Sequence, residues 1–395
     1  MLFLWGDMMK VKLGDVCEIV SGTTPKSNCP EYWNGELNWI TPAELNDDIV
    51  VVNESQRKIT TKAVIDSNLR SFSAGTVLLS SRAPIGKVAI AGKEMYCNQG
   101  FKNLICSDFI YNKYLFYFLK SKVAYLNSLG RGATFKEISK TIVENIQINL
   151  PKKEEQYKIV HILDKLNELI FLRQQQLKKF DELVKSRFIE MFGDPITNSY
   201  NLPIVPLGEL SELITKGASP SWQGFSYTDD RTQTLFITSE NVREGYIDLS
   251  FPKYIEDGFN DKQKRSVIHK GDFLINIVGA SIGRAAQFNL DCKANMNQAA
   301  ALVRINDKRI KDNYLLIYLN SEKAQRMYDL MKSDTGRANL SLKDISDLSI
   351  LLPPIAQQEK FEKFFMQTDK SKLEIQKSLD KLEILKKSLM QQYFD

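Results

Sequence analysis

The chain is poor in the residues that enzymes most often use. Only two histidines, His161 and His269, occur in 395 residues, which argues against a histidine-rich metal site or a Ser-His-Asp triad. The five cysteines, Cys17, Cys29, Cys97, Cys106 and Cys292, are odd in number and form no C-x-x-C pair. That argues against a zinc module or a disulfide scaffold, and it suits a reducing, cytoplasmic setting. No run of 18 apolar residues is present to span a membrane. The opening MLFLWGDMMK lacks the basic start and cleavage site of a signal peptide, and reads as a loose tail with Met9 as a possible alternative start.

Catalytic motifs are missing too. Gly86-Lys87 is followed by Val88 rather than Ser or Thr, so there is no Walker A loop, and Gly130-Arg131-Gly132 lacks the third glycine of a dinucleotide loop. There is no H-E-x-x-H, no G-x-S-x-G, no Asn/Asp-Pro-Pro-aromatic stretch for amino-methyl transfer and no Pro-Asp dipeptide to begin a common nuclease core. A self-sufficient methyltransferase or nuclease with cryptic motifs is therefore a minor alternative. Composition is otherwise that of a folded protein: 43% hydrophobic, 26% charged, and a net charge of +5 that permits a polyanionic partner without demanding one.

What the chain does have is itself, twice. GTVLLSSRAPIGKVAI from Gly75 is echoed by GDFLINIVGASIGRAAQ from Gly271. Leu13-Gly14-Asp15 matches Leu207-Gly208-Glu209, Ile40-Thr41 matches Ile237-Thr238, Ala83 through Lys87 matches Ala280 through Arg284, and Asn98-Gln99 matches Asn297-Gln298. Further on, Tyr114-Leu115 matches Tyr314-Leu315, and Lys136 to Ser139 matches Lys343 to Ser346. Leu150-Pro151 with Glu155-Gln156 matches Leu352-Pro353 with Gln357-Gln358. Each match alone is chance-level, but the ordered set is an internal repeat. Within each copy, Thr76–Leu79 and Phe273–Ile277 read as strands, and Tyr111–Leu126 and Asn313–Leu330 as amphipathic helices.

Each copy ends in a long helix. From Glu154 to Phe192 there is neither Gly nor Pro, and Ile159, Leu163, Leu166, Ile170, Leu177, Phe180, Val184 and Met191 form a heptad seam with Arg173 and Arg187 in its gaps. The second helix runs from Gln358 to about Phe394 in the same register, with Leu373 and Leu385 broadening its apolar face. A helix of roughly 58 Å overruns a domain of about 150 residues, whose radius of gyration is only about 15 Å. The expected fold is therefore α+β: two pseudo-two-fold-related mixed α/β domains, 1–151 and 195–353, separated by two long antiparallel helices, 152–194 and 354–395, in an elongated two-lobed particle. The plainer alternative is that each helix covers its own domain.

These residues carry a resemblance. The duplicated Leu-Gly-Asp/Glu openings, Gly-Asp-Phe-Leu with Ile-Gly-Arg, the Asn-Gln pairs and the Leu-Pro…Gln stops before long helices resemble the specificity subunit of type I restriction–modification systems over nearly the full length. One departure is Lys152-Lys153 where the second copy has Pro354-Ile355, which bears on how the first helix starts. The resemblance implies two target-recognition domains reading a bipartite double-stranded DNA target, one half-site each, with the helices as spacers. It implies a chain that makes no bonds and binds no cofactor or metal. Two methyltransferase subunits, using S-adenosylmethionine, and two translocase–nuclease subunits, using ATP and Mg²⁺, would dock on it. A two-domain protein-binding scaffold with no DNA role is the competing class.

Comparing the copies separates framework from candidate readers. Shared Gly75, Gly86, Gly271 and Gly283 are expected at turns or close packing. Ser80-Ser81-Arg82 against Asn276-Ile277-Val278 differ in one loop; Arg82 suits a guanine edge and Asn276 an adenine edge. Lys87 and Arg284 share position and charge, which suits a phosphate. Asn98, Gln99, Asn297 and Gln298 carry amides, but their presence in both copies favours a structural or backbone-contact role. Thr238 joins the set, as do the loops before the helices: Arg131, Thr134 and Lys136 in one copy, and Arg337, Asn339 and Lys343 in the other. Tyr32-Trp33 and Trp222 with Phe225 are expected to pack in the core, and His161 and His269 to be structural.

Overall fold

The Leu-Pro stops do launch two very long helices. In the computed structural model, which describes residues 9–46, 49–82, 84–132, 136–332 and 338–395, they run from Lys153 to Phe192 and from Ile355 to Phe394, 40 residues each. At 1.5 Å per residue each is about 60 Å long. The Lys152-Lys153 departure changes nothing at the start: Gln156 N donates to Lys152 O as Gln358 N donates to Pro354 O. No helix among the described residues is long and apolar enough to cross a membrane.

The chain divides into two compact units. Unit 1 is Met1–Gln174 with Lys377–Asp395, and unit 2 is Gln175–Gln376, so each long helix contributes to both.

In unit 1, a five-stranded sheet runs in the order Cys17–Ser21, Lys102–Cys106, Val77–Leu79, Val88–Ala91, Val51–Val52, antiparallel except for its last pair. A second sheet places Trp33–Ile40 between Lys58–Ile59 and Tyr96–Cys97, the latter pair parallel. Met9–Lys12 pairs with Gln147–Leu150 and returns the chain to its starting point just before the helix. Ile159, Val160 and Leu163 of the first helix and Phe394 of the second share one core with the strand residues Ile19, Val77 and Leu104.

Unit 2 repeats the plan. Ser211–Lys216, Ala300–Ile305, Phe273–Asn276 and Ala285–Gln287 form one sheet in that order. A second runs Tyr227–Thr228, Lys253–Ile255, Thr234–Ile237, Ala294–Met296, again with a parallel last pair. Ile204–Pro206 closes on Ser349–Leu351. Within this unit the two helices run antiparallel: Phe361 packs on Phe188 and Phe192, while Lys372, later in its helix, bonds Asp181, earlier in the other.

The helices depart from their expected pattern in three places. After Val184 the buried face moves to Phe188 and Phe192, a 4-4 spacing that an α-helix follows naturally over a short stretch, so Met191 is only half-buried and Arg187 pairs with Glu190. Leu373 and Leu385 do not widen an apolar face; they are 54% and 48% exposed. And each single amphipathic helix is two: Asn112–Ser121 then Val123–Ser128, and Asp312–Leu319 then Glu322–Met331. Ser321 caps the last of these by accepting from Ala324 N. The break turns the second piece over the glycine loop, where Asn127 bonds Ile85 O and Gln325 bonds Gly283 O. Gly86 and Gly283 have φ of +95° and +87°, and a Cβ on Gly283 would lie 2.4 Å from the Tyr328 ring, so only glycine fits both demands there.

Candidate nucleic-acid interface

In each unit segments distant in sequence are joined at one place by backbone bonds, five segments in unit 1 and four in unit 2. In unit 1, Ser81 N donates to Gly100 O, Ile138 N to Ser81 O, Asn98 N to Ile40 O, and Thr23 N to Cys97 O. In unit 2, Ile277 N donates to Ala299 O, Leu340 N to Ile277 O, and Asn297 N to Ile237 O. The shared bonds fix which positions correspond: Ser80 with Asn276, Ser81 with Ile277, Arg82 with Val278 and Ile138 with Leu340, so Glu137 stands at the place of Asn339 and the sequence match of 136–139 to 343–346 is out of register. Nearly all the sequence candidates lie on these segments. Thr134 and Arg337 fall outside the described residues.

Burial sorts the rest. Ser81 and Asn276 are fully buried and Thr238 is 5% exposed, so none has a side chain to offer a groove. Thr238 receives a framework role from Asn241 Oδ1, which accepts from both its backbone N–H and its hydroxyl. Glu44 does the same for Thr41 in unit 1. Asn98 and Asn297 each use Oδ1 to accept from the N–H two residues on, Gly100 and Ala299, the self-bonded turn that asparagine favours. Their neighbours Gln99 and Gln298 are exposed, and Gln99 accepts from Thr24 Oγ1.

The changed polar letters of the repeated loop have a structural cause. Asn276 Nδ2 donates to Ser239 O at 2.9 Å. The equivalent carbonyl in unit 1, Pro42 O, is satisfied by the Lys87 ammonium at 2.9 Å. Lys87 is therefore partly spent on its own framework, whereas Arg284 lines a shallow depression with Arg243, Glu244, Tyr246 and Asp248. The two cations share a position but not a job. Asn276 Oδ1 is left without a partner.

The outward-facing set is then small. In unit 1 it is half-exposed Arg82 with exposed Gln99, Arg131 and Lys136; in unit 2 it is half-exposed Arg284 with exposed Gln298, Asn339 and Lys343. Arg131 is fixed by a backbone pair with Glu137, 3.0 and 2.9 Å, and Asn339 by its bridge to Val278. Lys343 stands on the short helix Leu342–Ser346, capped by Ser341.

Several residues escaped the sequence reading. Lys102 is buried, its ammonium 3.1 Å from Glu137 Oε1. Trp222, expected in the core, is 87% exposed, while Trp33 and Phe225 do pack, on Trp39 and Phe259. Both histidines are exposed. The clearest omission is a pair of glutamine clamps. Gln156 is fully buried; Nε2 donates to Pro151 O and Phe109 O, and Oε1 accepts from Tyr111 N. Gln358 makes the same three bonds, to Pro353 O, Arg309 O and Lys311 N. The repeat contained the signal, since both glutamines sit five residues after the Leu-Pro proline.

The type I restriction modification DNA specificity domain matches this sequence twice, over residues 6–180 and 202–385. The chain belongs to that family. The MjaIX specificity subunit of Methanocaldococcus jannaschii is 38% identical over 216 residues, 53% of this chain and 49% of that one, so the match spans about half the relative's length. The MjaVIII specificity subunit of the same organism is 22% identical over 97% of this chain and 91% of its own. Among solved structures, one from a study of complex assembly and conformational transition of the type I system matches with a TM-score of 0.65 at 19% identity, covering 100% of this chain and 99% of that one. The type I S subunit from M. genitalium matches with a TM-score of 0.57 at 16% identity, over 100% and 98%. At those identities the structures establish a shared fold, and the family assignment rests on the sequence match.

Proposed function

We propose that this chain is the non-catalytic specificity subunit of a type I restriction–modification complex, each unit reading one half-site of a bipartite double-stranded DNA target. The observation that carries it is the paired convergence just described. A common buried framework in both units presents two different outward sets of polar and basic side chains, which is what reading two unlike half-sites requires. The functional division is into recognition domains 1–151 and 195–353 with spacer helices 152–194 and 354–395. Methyltransferase and ATP-dependent translocase–nuclease subunits dock on the chain, and S-adenosylmethionine, ATP and Mg²⁺ belong to those partners.

On this reading Arg131, Lys136, Lys343 and Arg284 meet phosphates, positioning the units without specifying sequence. Exposed Gln298 and Asn339, with Arg82 and the Nε2 end of Gln99, whose Oε1 is taken by Thr24, are the side chains proposed to reach base edges. The test is duplex binding by the chain with its methyltransferase partner as salt is varied. Four phosphate contacts give a slope of log K against log salt of about −3.6, and each removed cation lowers it by about 0.9. Binding to a protein partner but to no duplex at any salt supports the protein-binding scaffold instead.

A further inference from the structure

We propose that Arg82 is a specificity-determining residue of unit 1, reading one G·C pair of its half-site, and that Glu137 positions it; this rests on the DNA-reading function proposed above. Three equivalent positions carry the inference. Arg82 bridges Glu137 where Val278 bridges Asn339, and Lys102 pairs with Ser21 where Ala301 pairs with Lys216. Unit 1 therefore has a Lys–Glu–Arg cluster at the site where unit 2 has Ala, Asn and Val. Nothing in the shared framework requires those charges, since unit 2 builds the same bonds without them.

The geometry divides the labour within the cluster. The Lys102 side chain is only 9% exposed and its ammonium lies 3.1 Å from Glu137 Oε1 and 3.4 Å from Ser81 Oγ. A lysine so enclosed needs its partner, because an unpaired buried charge is strongly unfavourable. The first carboxylate oxygen is thus committed to Lys102. The second lies 3.7 Å from Arg82 Nη1, well beyond the 2.7–2.9 Å of a strong charge-assisted bond. Arg82, with 35% of its side chain exposed, is held near the carboxylate without being saturated by it, and no closer side-chain partner is present among the described residues. A guanidinium kept loosely in place, with its donor fork unspent, suits the O6 and N7 acceptors of a guanine in the major groove. Val278 at the equivalent position has no donor, so unit 2 makes no such contact there.

The experiment is sequencing of methyladenine in cells co-expressing the methyltransferase with wild-type chain, R82K, R82Q, E137Q or E137D. R82K keeps the charge and removes the fork. The expected result is a motif unchanged in one half-site and relaxed at a single G·C pair of the other, with discrimination reduced roughly 5- to 150-fold, the range of one bidentate contact. R82Q gives the same relaxation. E137Q relaxes that same pair, and E137D restores part of the discrimination, which a purely structural loss would not do selectively at one base pair. An intact motif in both Arg82 variants overturns the proposal. So does relaxation spread evenly over both half-sites, which signifies general weakening. Absence of any bipartite motif with the wild-type chain removes the underlying reading itself. If R82Q does not accumulate, R82K decides.

Discussion

Replacing Gln156 with leucine tests how the long helix is joined to unit 1. The side chain is fully buried, and leucine is close to it in volume, so the packing change is small. What is lost is hydrogen bonding. Two carbonyls, Pro151 O and Phe109 O, lose bonds of 2.9 and 3.0 Å, and Tyr111 N–H loses one of 2.7 Å. Each buried group left unpaired costs about 1–3 kcal/mol. With carbonyls more forgiving than an orphaned N–H, the sum is about 3–5 kcal/mol, a large part of a domain's stability. Gln156→Glu tests the direction of the bonds. Its carboxylate still accepts from Tyr111 N–H but faces two carbonyls it cannot bond while ionised. Protonation restores one donor, so the Glu side chain is expected to titrate higher in the folded state than unfolded, and the variant's deficit shrinks as pH falls toward 5. The assay is urea unfolding followed by circular dichroism at pH 7.5 and pH 5.5. A Q156L loss under 0.5 kcal/mol, or a Q156E deficit that grows on acidification, refutes the clamp. Gln358→Leu, sharing no partner with Gln156, should cost unit 2 a similar amount.

Three further outcomes follow from the geometry. Trp222 is 87% exposed against the packed Trp33 and Trp39; in a W5F background, since Trp5 lies outside the described residues, W222F should remove most of the acrylamide-quenchable signal and shift stability by less than about 0.5 kcal/mol, and a larger loss contradicts its surface position. Gly283→Ala should destabilise unit 2 by at least about 2 kcal/mol, since it meets both a left-handed backbone and the Tyr328 ring 2.4 Å away; a neutral thermal shift disproves the close approach. Alkali should unfold the protein between pH 10 and 12. Burial pushes Tyr318 up to about 12, and Tyr114, Tyr314 and Tyr328 upward as well. A phenol whose folded pKa is raised stabilises the fold fully below its unfolded value near 10 and loses that contribution as pH climbs through the folded value. Exposed tyrosines ionise first in either case, so complete tyrosinate absorbance by pH 12 with no loss of ellipticity goes against this.

The architecture was legible because it was written twice. One Gly-Asp-Phe-Leu or one Asn-Gln is uninformative, but two ordered copies separate framework from variation, and a Gly- and Pro-free heptad run of nearly 40 residues leaves little but a long helix. The site was legible as loops and not as side chains. Asn276 looked like an adenine reader, yet it spends its amide on Ser239 O; Lys87 and Arg284 looked interchangeable, yet only Lys87 has an orphan carbonyl to satisfy. Which polar residue is consumed by a neighbouring carbonyl is a tertiary fact with no period in the sequence. The Lys102–Glu137 pair was hidden for the same reason, joining residues 35 positions apart. The split of each amphipathic helix was hidden because hydrophobic periodicity continues across the break.

The central claim, two units reading two unlike half-sites, is tested most directly by co-expressing the chain with the methyltransferase subunit proposed as its partner and mapping methyladenine by single-molecule sequencing. The predicted result is one bipartite motif, two different short sequences separated by a fixed unspecified gap, lost when the chain is deleted. A contiguous motif, or methylation unchanged by deletion in a complex shown to assemble, contradicts it.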